Sequence, residues 1–573
     1  MGSFGKLADL YSKIEKISSH KQIVETLASF LTGLEPEDVR VAAYLALGDI
    51  GPKFEDIDLG LGEKLCIRAI SLAYDIPEED VSGIFSRLGD LGDVAFKLDE
   101  RKRSSVSMQD VFEQMVRIRD SSGPGSQGEK VSVLSQLLEK STSLEAKYVV
   151  RIALGQLRLG FGEQFLIEAL ALAFTGDRKN AKKIDDSYNI CTDIGELAGS
   201  LAEHGINSLG SFSIKPGRPV KMMLAKRVDS IEELNRKFRG EMAAEEKYDG
   251  ERVQIHVDGK EIMAFSRRLE NISEQFPDVI EAFHESVQSR KMVIDGEIVA
   301  YRDSNIQPFQ ELMQRRRKHN VEKYMEKIPV AVFCFDLIYL DGRSMLNVPY
   351  SERRRLLEKN LQETERIKLS RRIISSNLGE IQEFFDRTVD KGLEGIIIKS
   401  VSEKSIYQPG KRGWLWVKWK KEYAKGIRET FDLVVVGSYY GRGRRHGSFG
   451  ALLCAVLNEE ENRFETFTKV GTGFTDEDFD EMNSLLENHL IDKAPANVVI
   501  SKDMEPDLYV DPSVVIEVLG SQITKSPAHT AGNDNTEKGF ALRFPRFLRI
   551  RYDKGPSEAT TVEEIKDMEE EFT

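Results

Sequence analysis

Glu245-Glu246-Lys247-Tyr248-Asp249-Gly250-Glu251-Arg252-Val253-Gln254-Ile255-His256 decides how the rest of the chain is read. It predicts a strand carrying a lysine, with an acid and a glycine just behind it and an arginine five residues on. A lysine attacks an electrophile only as the neutral amine, and with an ordinary pKa near 10.4 only about one in a few thousand is neutral at pH 7. Burial and neighbouring cations enlarge that fraction. Whether Lys247 is a nucleophile therefore depends on the cations that the fold brings to it.

Trp414-Leu415-Trp416-Val417-Lys418-Trp419-Lys420-Lys421 supplies them. As a strand, its period of two puts Trp416, Lys418 and Lys420 on one face and Val417 and Trp419 on the other. The turn Pro409-Gly410-Lys411-Arg412-Gly413 adds Arg412 at the mouth of that strand. Read alone, such a strand is a solvated basic edge. Acids form the third component: Met292 to Val299 is apolar except for Asp295 and Glu297 on one face, and Leu393 to Lys399 carries Glu394 into an otherwise buried run. Buried acids are costly unless paired or metal-bound, and a hard cation such as Mg2+, bridging carboxylates and phosphates, satisfies them.

Taken together, Lys247-Tyr248-Asp249-Gly250 with Arg252, Ser266-Arg267, Asp295-Gly296-Glu297, Phe335 to Tyr339, Glu394-Gly395 and Lys418-Trp419-Lys420 resemble the ordered motifs of nucleotidyltransferases that pass through a covalent lysyl-AMP. Six motifs in order, followed by Arg543-Phe544-Pro545-Arg546-Phe547-Leu548-Arg549-Ile550-Arg551, resemble more closely the ATP-dependent DNA ligases of the archaeal and eukaryotic replicative type. The resemblance covers residues 140 to 555.

At 573 residues the chain is too long for one core. Hydrophobic residues make up 40% and charged residues 31%, the balance of a soluble globular protein. Cys66, Cys191, Cys334 and Cys454 are scattered with no C-x-x-C pair, which argues against a zinc module and for a reducing compartment. No apolar run reaches membrane-spanning length, and the N-terminus lacks a signal-peptide core. A net charge of −14 argues against a polyanion partner only if the charge is evenly spread. It is not: Glu563 to Glu571 concentrates acid, while Arg315-Arg316-Arg317-Lys318, Arg353-Arg354-Arg355 and Arg442-Gly443-Arg444-Arg445 concentrate base.

Three parts are expected: helices over 1–212, a mixed α+β domain over 213–423, and a small barrel with an acidic tail over 424–573. Leu10, Ile14 and Ile17, then Ile23, Leu27 and Phe30, fall at amphipathic-helix spacing. The G-x-G-x-x-G match at Gly123 to Gly128 follows helical pattern, not a strand, so it reads as a helix–helix loop. Glycines and prolines from Gly205 to Lys226 read as a flexible linker, and a second linker is expected near 424–430. Val253 to Arg267 reads as a hairpin turning at Asp258-Gly259. Beyond Phe431 come five short strands, at Leu433 to Tyr440, Ala451 to Leu457, Phe464 to Val470, Val514 to Leu519 and Leu542 to Arg551, fitting a Greek-key barrel of the oligonucleotide-binding type.

What the resemblance implies is specific. The fold is an all-α DNA-binding domain, an adenylation domain and an OB-fold; ATP and Mg2+ are the cofactors, and nicked duplex DNA is the substrate. Lys247 is the catalytic nucleophile. Glu245 reads the adenine edge, Phe335 is the platform for adenine rather than a plain core residue, and Arg252, Arg267 and Arg412 hold sugar and phosphates. Glu297 and Glu394 are metal or ribose partners; Lys418, Lys420 and Arg543 neutralise phosphoryl charge, and Lys554 belongs to the same last motif as Arg543. Arg151 and Arg158, in a helix end studded with glycines and arginines, are candidate DNA-backbone contacts. Lys399, on the face opposite Glu394 in a regular strand, is left outside the site. The resemblance further implies roles in DNA replication, repair and recombination, a sliding clamp as partner, action as a monomer without a membrane, and a cytoplasmic location, or nuclear in a eukaryote. The aromatic clamp-binding box of relatives has no counterpart near Lys97 to Ser105. Alternatives are an RNA ligase or capping-type nucleotidyltransferase, or a non-catalytic DNA-binding scaffold; NAD as donor goes with tandem cysteine zinc ligands, which this chain lacks.

Overall fold

Gly250 fixes the arrangement of the middle of the chain. Its backbone runs so close to the strand Lys291–Arg302 that a Cβ would lie 2.2 Å from the carbonyl oxygen of Ile298. Only glycine permits that approach. The four residues Lys247 to Gly250 thereby carry the chain from the strand Met242–Lys247 in one sheet to the strand Glu251–Asp258 in another.

The structure, a computed structural model, describes all residues except 1, 18, 100–104, 158, 160, 229, 239, 304, 316–320, 421–428, 442–448, 521, 534–537 and 573. It divides into two units. One comprises Asn189–Thr192 and Phe212–Thr430; the other comprises Met1–Tyr188, Asp193–Ser211 and Phe431–Thr573.

The first of these units holds the two sheets. One has five strands in the order Leu224–Arg227, Arg412–Lys420, Gly395–Ser400, Met242–Lys247, Arg372–Ser375. The other is built on Glu261–Ser266, Glu251–Asp258, Lys291–Arg302, Val330–Leu340 and Arg343–Ser344. Alternation sends Val253, Ile255, Ile294 and Ile298 outward into a core with Val279 and Phe283 of the helix Pro277–Ser286. In the five-stranded sheet Ala244, Ile396, Val417 and Trp419 point outward against Phe384 and Phe385 of the helix Leu378–Asp390, with Trp419 stacked on Phe385 at 4.1 Å. The opposite faces meet: Val293 and Ile338 of one sheet pack with Trp416 of the other. Charged residues line the remainder of this cleft.

The expected linker is not free over its second half. Ile214, Val220 and Met223 are buried in the cluster between the sheets, and Gly217 and Val220 are tied to buried polar side chains. Glycine and proline signalled turns correctly; the apolar residues between them carried the opposite message. The expected linker near 424–430 falls mostly on residues outside those described.

His256 is the anchor of this strap. Its Nδ1 accepts from the Gly217 N–H at 3.1 Å, so Nε2 carries the proton and donates to Gln254 Oε1 at 2.9 Å. Gln254 in turn accepts from Val220 N–H at 2.7 Å and donates to Asp295 at 3.0 Å. A second proton on the ring would face a donor in a buried site, and burial pushes the imidazole down to about 3. The unfolded chain, with its ordinary value near 6.5, thus binds a proton that the folded one refuses between those limits. This contribution to stability is whole above about pH 6.5 and drains as pH falls, by about 2 kcal/mol at pH 5. Denaturant unfolding of the wild type and of His256→Gln at pH 7 and pH 5 checks it: the variant loses less stability over that interval, and an equal loss contradicts the assignment.

The other unit joins helices to a barrel. Among its described helices, Phe4–Ile14 starts on Ser3, whose side chain accepts from Lys6 N–H, and buries Phe4, Leu7, Tyr11 and Ile14 along one stripe. Capping boxes start Met108–Asp120 at Ser107 and Ser143–Ala153 at Thr142. Of the Gly123 to Gly128 segment, only 123–125 lies between the helices Met108–Asp120 and Ser126–Lys140; Ser126, Gln127 and Gly128 begin the second helix. In the barrel, Glu429–Tyr440, Phe449–Asn458 and Arg463–Val470 are consecutive antiparallel strands, and Val515–Gly520 pairs with Arg546–Ile550. The last expected strand is two, Gly539–Arg543 and Arg546–Ile550, because Phe544 adopts a left-handed φ of 55° and Pro545 follows it. Lys493 joins the parts, donating to the carbonyls of Ile14 at 3.0 Å and Ile17 at 2.9 Å beyond the first helix.

Candidate active site

Lys247 ends its strand opposite Gly395, where the chain leaves one sheet for the other. Gly395 has φ 144°, and a Cβ there would lie 2.2 Å from the Trp419 carbonyl oxygen. That irregular backbone aims the preceding residue, Glu394, at Lys247, with which it forms an ion pair; Lys420 approaches the same carboxylate at 3.4 Å. Glu394 therefore stands between two ammonium groups.

Glu297 faces them from the other sheet, paired in register with Arg252. Burial pushes its carboxyl up to about 7, Glu394 adds to the rise, and Lys247, Arg252 and Arg267 oppose it. These five groups are thus close enough to feel one another. Arg267 follows directly on the strand Glu261–Ser266, returned by the hairpin at Asp258-Gly259.

Asp295 has a different task from Glu297, although they share a face. One of its oxygens accepts from Arg252 and from the Tyr407 hydroxyl, each at 2.7 Å, and the other accepts from Gln254 at 3.0 Å. Arg252 also donates to the Met223 carbonyl at 2.6 Å, while Met223 N–H donates to the Tyr407 hydroxyl at 2.9 Å. The strap and the arginine are held by one buried network. Replacing Asp295 with Asn removes the charge that compensates Arg252, and about 3 kcal/mol of stability goes with it. Urea midpoints of Asp295→Asn measure the loss; a change below about 0.5 kcal/mol contradicts this account.

Deeper in the cleft lies an aromatic box. Phe335 and Trp416 stand edge to face at 6.3 Å, and the Arg252 guanidinium lies 5.4 Å from the Phe335 ring. Glu245, two residues before Lys247 on the same face, accepts from the Tyr350 hydroxyl and pairs with Lys399 at 2.8 Å. Lys399, excluded by strand parity, belongs here: the irregular backbone at Gly395 places Glu394 before the strand Gly395–Ser400, so counting faces from Glu394 fails. The Lys399 Nζ lies 4.7 Å from the Phe335 ring centre and 4.3 Å from that of Trp416. Tyr350 and Tyr407 were missed as well, since nothing in their local sequence distinguishes them from core tyrosines.

Arg412 opens the strand Arg412–Lys420 beside Leu224, and Lys418 sits between Arg227 and Ile397 in register. Trp416 faces the cleft while Val417 and Trp419 face the outer core, as alternation requires. Among the described residues no group of three or more His, Cys, Asp or Glu is arranged to hold a metal alone.

Arg543, exposed at the end of Gly539–Arg543, and Lys554, which pairs with Asp432, belong to the other unit. Arg151 is a correction. It is 4% exposed and spends its guanidinium on Glu15 at 2.5 Å, Asp90 at 3.2 Å and Asp93 at 3.4 Å. Three acids thus hold the guanidinium among the helices, where an exposed contact was expected. Arg158 lies outside the described residues.

Residues 3–171 match the family DNA ligase N terminus, residues 222–420 the ATP dependent DNA ligase domain, and residues 445–554 the ATP dependent DNA ligase C terminal region. Over 578 aligned residues, covering 100% of each chain, the sequence is 58% identical to DNA ligase 1 of Methanosarcina acetivorans. It is 56% identical to DNA ligase 1 of Methanosarcina mazei, covering 99% of each, and 40% identical to the probable DNA ligase of Aquifex aeolicus, covering 98% of this chain and 97% of that one.

Proposed function

The chain belongs to the ATP-dependent DNA ligases, and from that premise we propose that its cleft seals nicks by moving AMP from ATP to Lys247, from Lys247 to the 5′-phosphate of a nick, and away as the 3′-hydroxyl attacks. The observation that carries the assignment of Lys247 is its position at the junction of the two sheets, ion-paired with Glu394 and within electrostatic range of Glu297. The full-length identity to DNA ligases sets aside the RNA-joining, capping and non-catalytic readings.

The residues divide the work. Phe335 and Trp416 offer adenine an apolar face, and Glu245 meets its edge. Arg252, rigid in its network, and Arg267 and Arg412 hold sugar and phosphates. The neutral Lys247 amine forms a bond to the α-phosphorus as the bond to pyrophosphate breaks and then gives up its extra proton to water, while Glu394, its ion-pair partner, keeps the lysine in place. Lys418 and Lys420 neutralise the charge that builds on the phosphoryl oxygens, the task that the last motif assigns to Arg543 in the other unit. Two carboxylates near one another, one with its carboxyl pushed up to about 7 by burial, fit a hard divalent cation. Glu297 and Glu394 would hold that Mg2+, which when bound supplies neutralisation of the phosphates. A sliding clamp as partner, action as a monomer and a cytoplasmic setting belong to this reading on family membership alone.

A nicked duplex carrying either a 5′-phosphate or a preformed 5′-adenylate separates the steps. Lys247→Ala is expected to lose at least 1,000-fold in sealing the phosphorylated nick with ATP while still sealing the adenylated one. Equal loss on both substrates contradicts a role confined to carrying AMP. For the metal, Glu297→Gln is expected to raise the Mg2+ needed for half-maximal adenylation about tenfold; an unchanged requirement with a raised KM for ATP assigns Glu297 to the ribose instead.

A further inference from the structure

Lys399 is a fully buried lysine that the steps above leave unused. An ammonium in such a place is costly unless compensated; its ion-pair partner is Glu245 on the adjoining strand, at 2.8 Å, with Asp336 adding a second attraction and Arg354 opposing it. The remaining surroundings are three aromatic rings, Trp416, Phe335 and Tyr350, with centres 4.3, 4.7 and 4.8 Å away, and the Phe335 carbonyl oxygen at 3.3 Å. Glu245 is held equally firmly from its other side: Oε1 accepts from the Tyr350 hydroxyl, Arg354 lies 3.6 Å away, and Ser370 donates to Oε2 at 3.4 Å. Charge alone does not need so many partners. What they achieve together is to fix the plane and rotamer of one carboxylate at the back of an aromatic box.

We propose that Lys399, with the Tyr350 hydroxyl as second anchor, is a positioning residue that fixes Glu245 as the element selecting the 6-amino purine ring of the nucleotide. The inference rests on the reading of Glu245 given above. An ionised carboxylate is acceptor-only. It accepts a hydrogen bond from a 6-amino group, finds nothing to accept from unsubstituted purine, and meets the 6-oxo group of a guanine or hypoxanthine ring as acceptor against acceptor. Rejection by such a group depends on its being unable to turn away, and the Lys399 and Tyr350 contacts prevent the turn. The contacts of both residues are with Glu245 and the aromatic box, so the expected effect is on the choice of base.

Self-adenylation, or its analogue with other bases, is followed as label transfer to the protein from ATP, purine riboside triphosphate and ITP. Wild type is expected to prefer ATP strongly, and K399M to reduce the ratio of kcat/KM for ATP over that for each analogue at least tenfold. Y350F, which keeps the ring and removes only the hydroxyl, is expected to move the ratios in the same direction and keeps the test open if K399M does not fold. Parallel losses on all three nucleotides, or unchanged ratios, overturn the proposal. E245Q separates the two layers: if it leaves the ratios as in wild type, the reading of Glu245 itself fails, whereas if E245Q collapses them and K399M and Y350F do not, only the positioning role fails.

Discussion

The ion pair between Lys247 and Glu394 is the constraint on which the rest depends. The site around it requires that two sheets face one another so that Glu297 meets the pair, that the chain cross between them immediately after the lysine, and that an acid arrive at the end of the neighbouring strand of the lysine's own sheet. Gly250 and Gly395 make the last two possible, because each lies where a side chain would collide with backbone 2.2 Å away. The glycines of the K-Y-D-G and E-G motifs are thus requirements of geometry.

Around that pair the acids differ in their partners. Both oxygens of Asp295 accept hydrogen bonds, from Arg252, Tyr407 and Gln254. Glu297, two residues on, lacks such a set, and burial lifts its carboxyl to about 7. Two acids of one strand, alike in sequence, come to differ because the bulge between Asp295 and Gly296 and the strap from Gly217 to Met223 give them different neighbours. This buried network fixes the Arg252 guanidinium in place.

Much of this was legible. The lysine strand, the period-two face of Trp416 opposite Val417 and Trp419, the Asp258-Gly259 hairpin and the helical first part follow from local pattern, and local pattern is what sequence records. The losses are all long-range. Arg151 reads as a candidate DNA-backbone contact because its partners, Glu15, Asp90 and Asp93, are 58 to 136 residues away. Lys399 was discarded by strand parity, which a left-handed glycine at Gly395 invalidates. The strap was taken for a linker since glycine and proline outweighed Ile214, Val220 and Met223, whose burial needs both sheets at once. The final strand was drawn as one because an aromatic residue at positive φ, Phe544, leaves no mark in an apolar run.

The central claim is that a covalent adenylate forms on Lys247 and is an intermediate. Incubating the protein with α-labelled ATP and Mg2+, digesting it under conditions that preserve phosphoramidates and mapping the labelled peptide tests this most directly. Label is expected on the peptide containing Lys247, discharged by pyrophosphate to ATP and by nicked duplex to free AMP with sealed product. Label on another residue, or label that nicked DNA does not discharge, would contradict it.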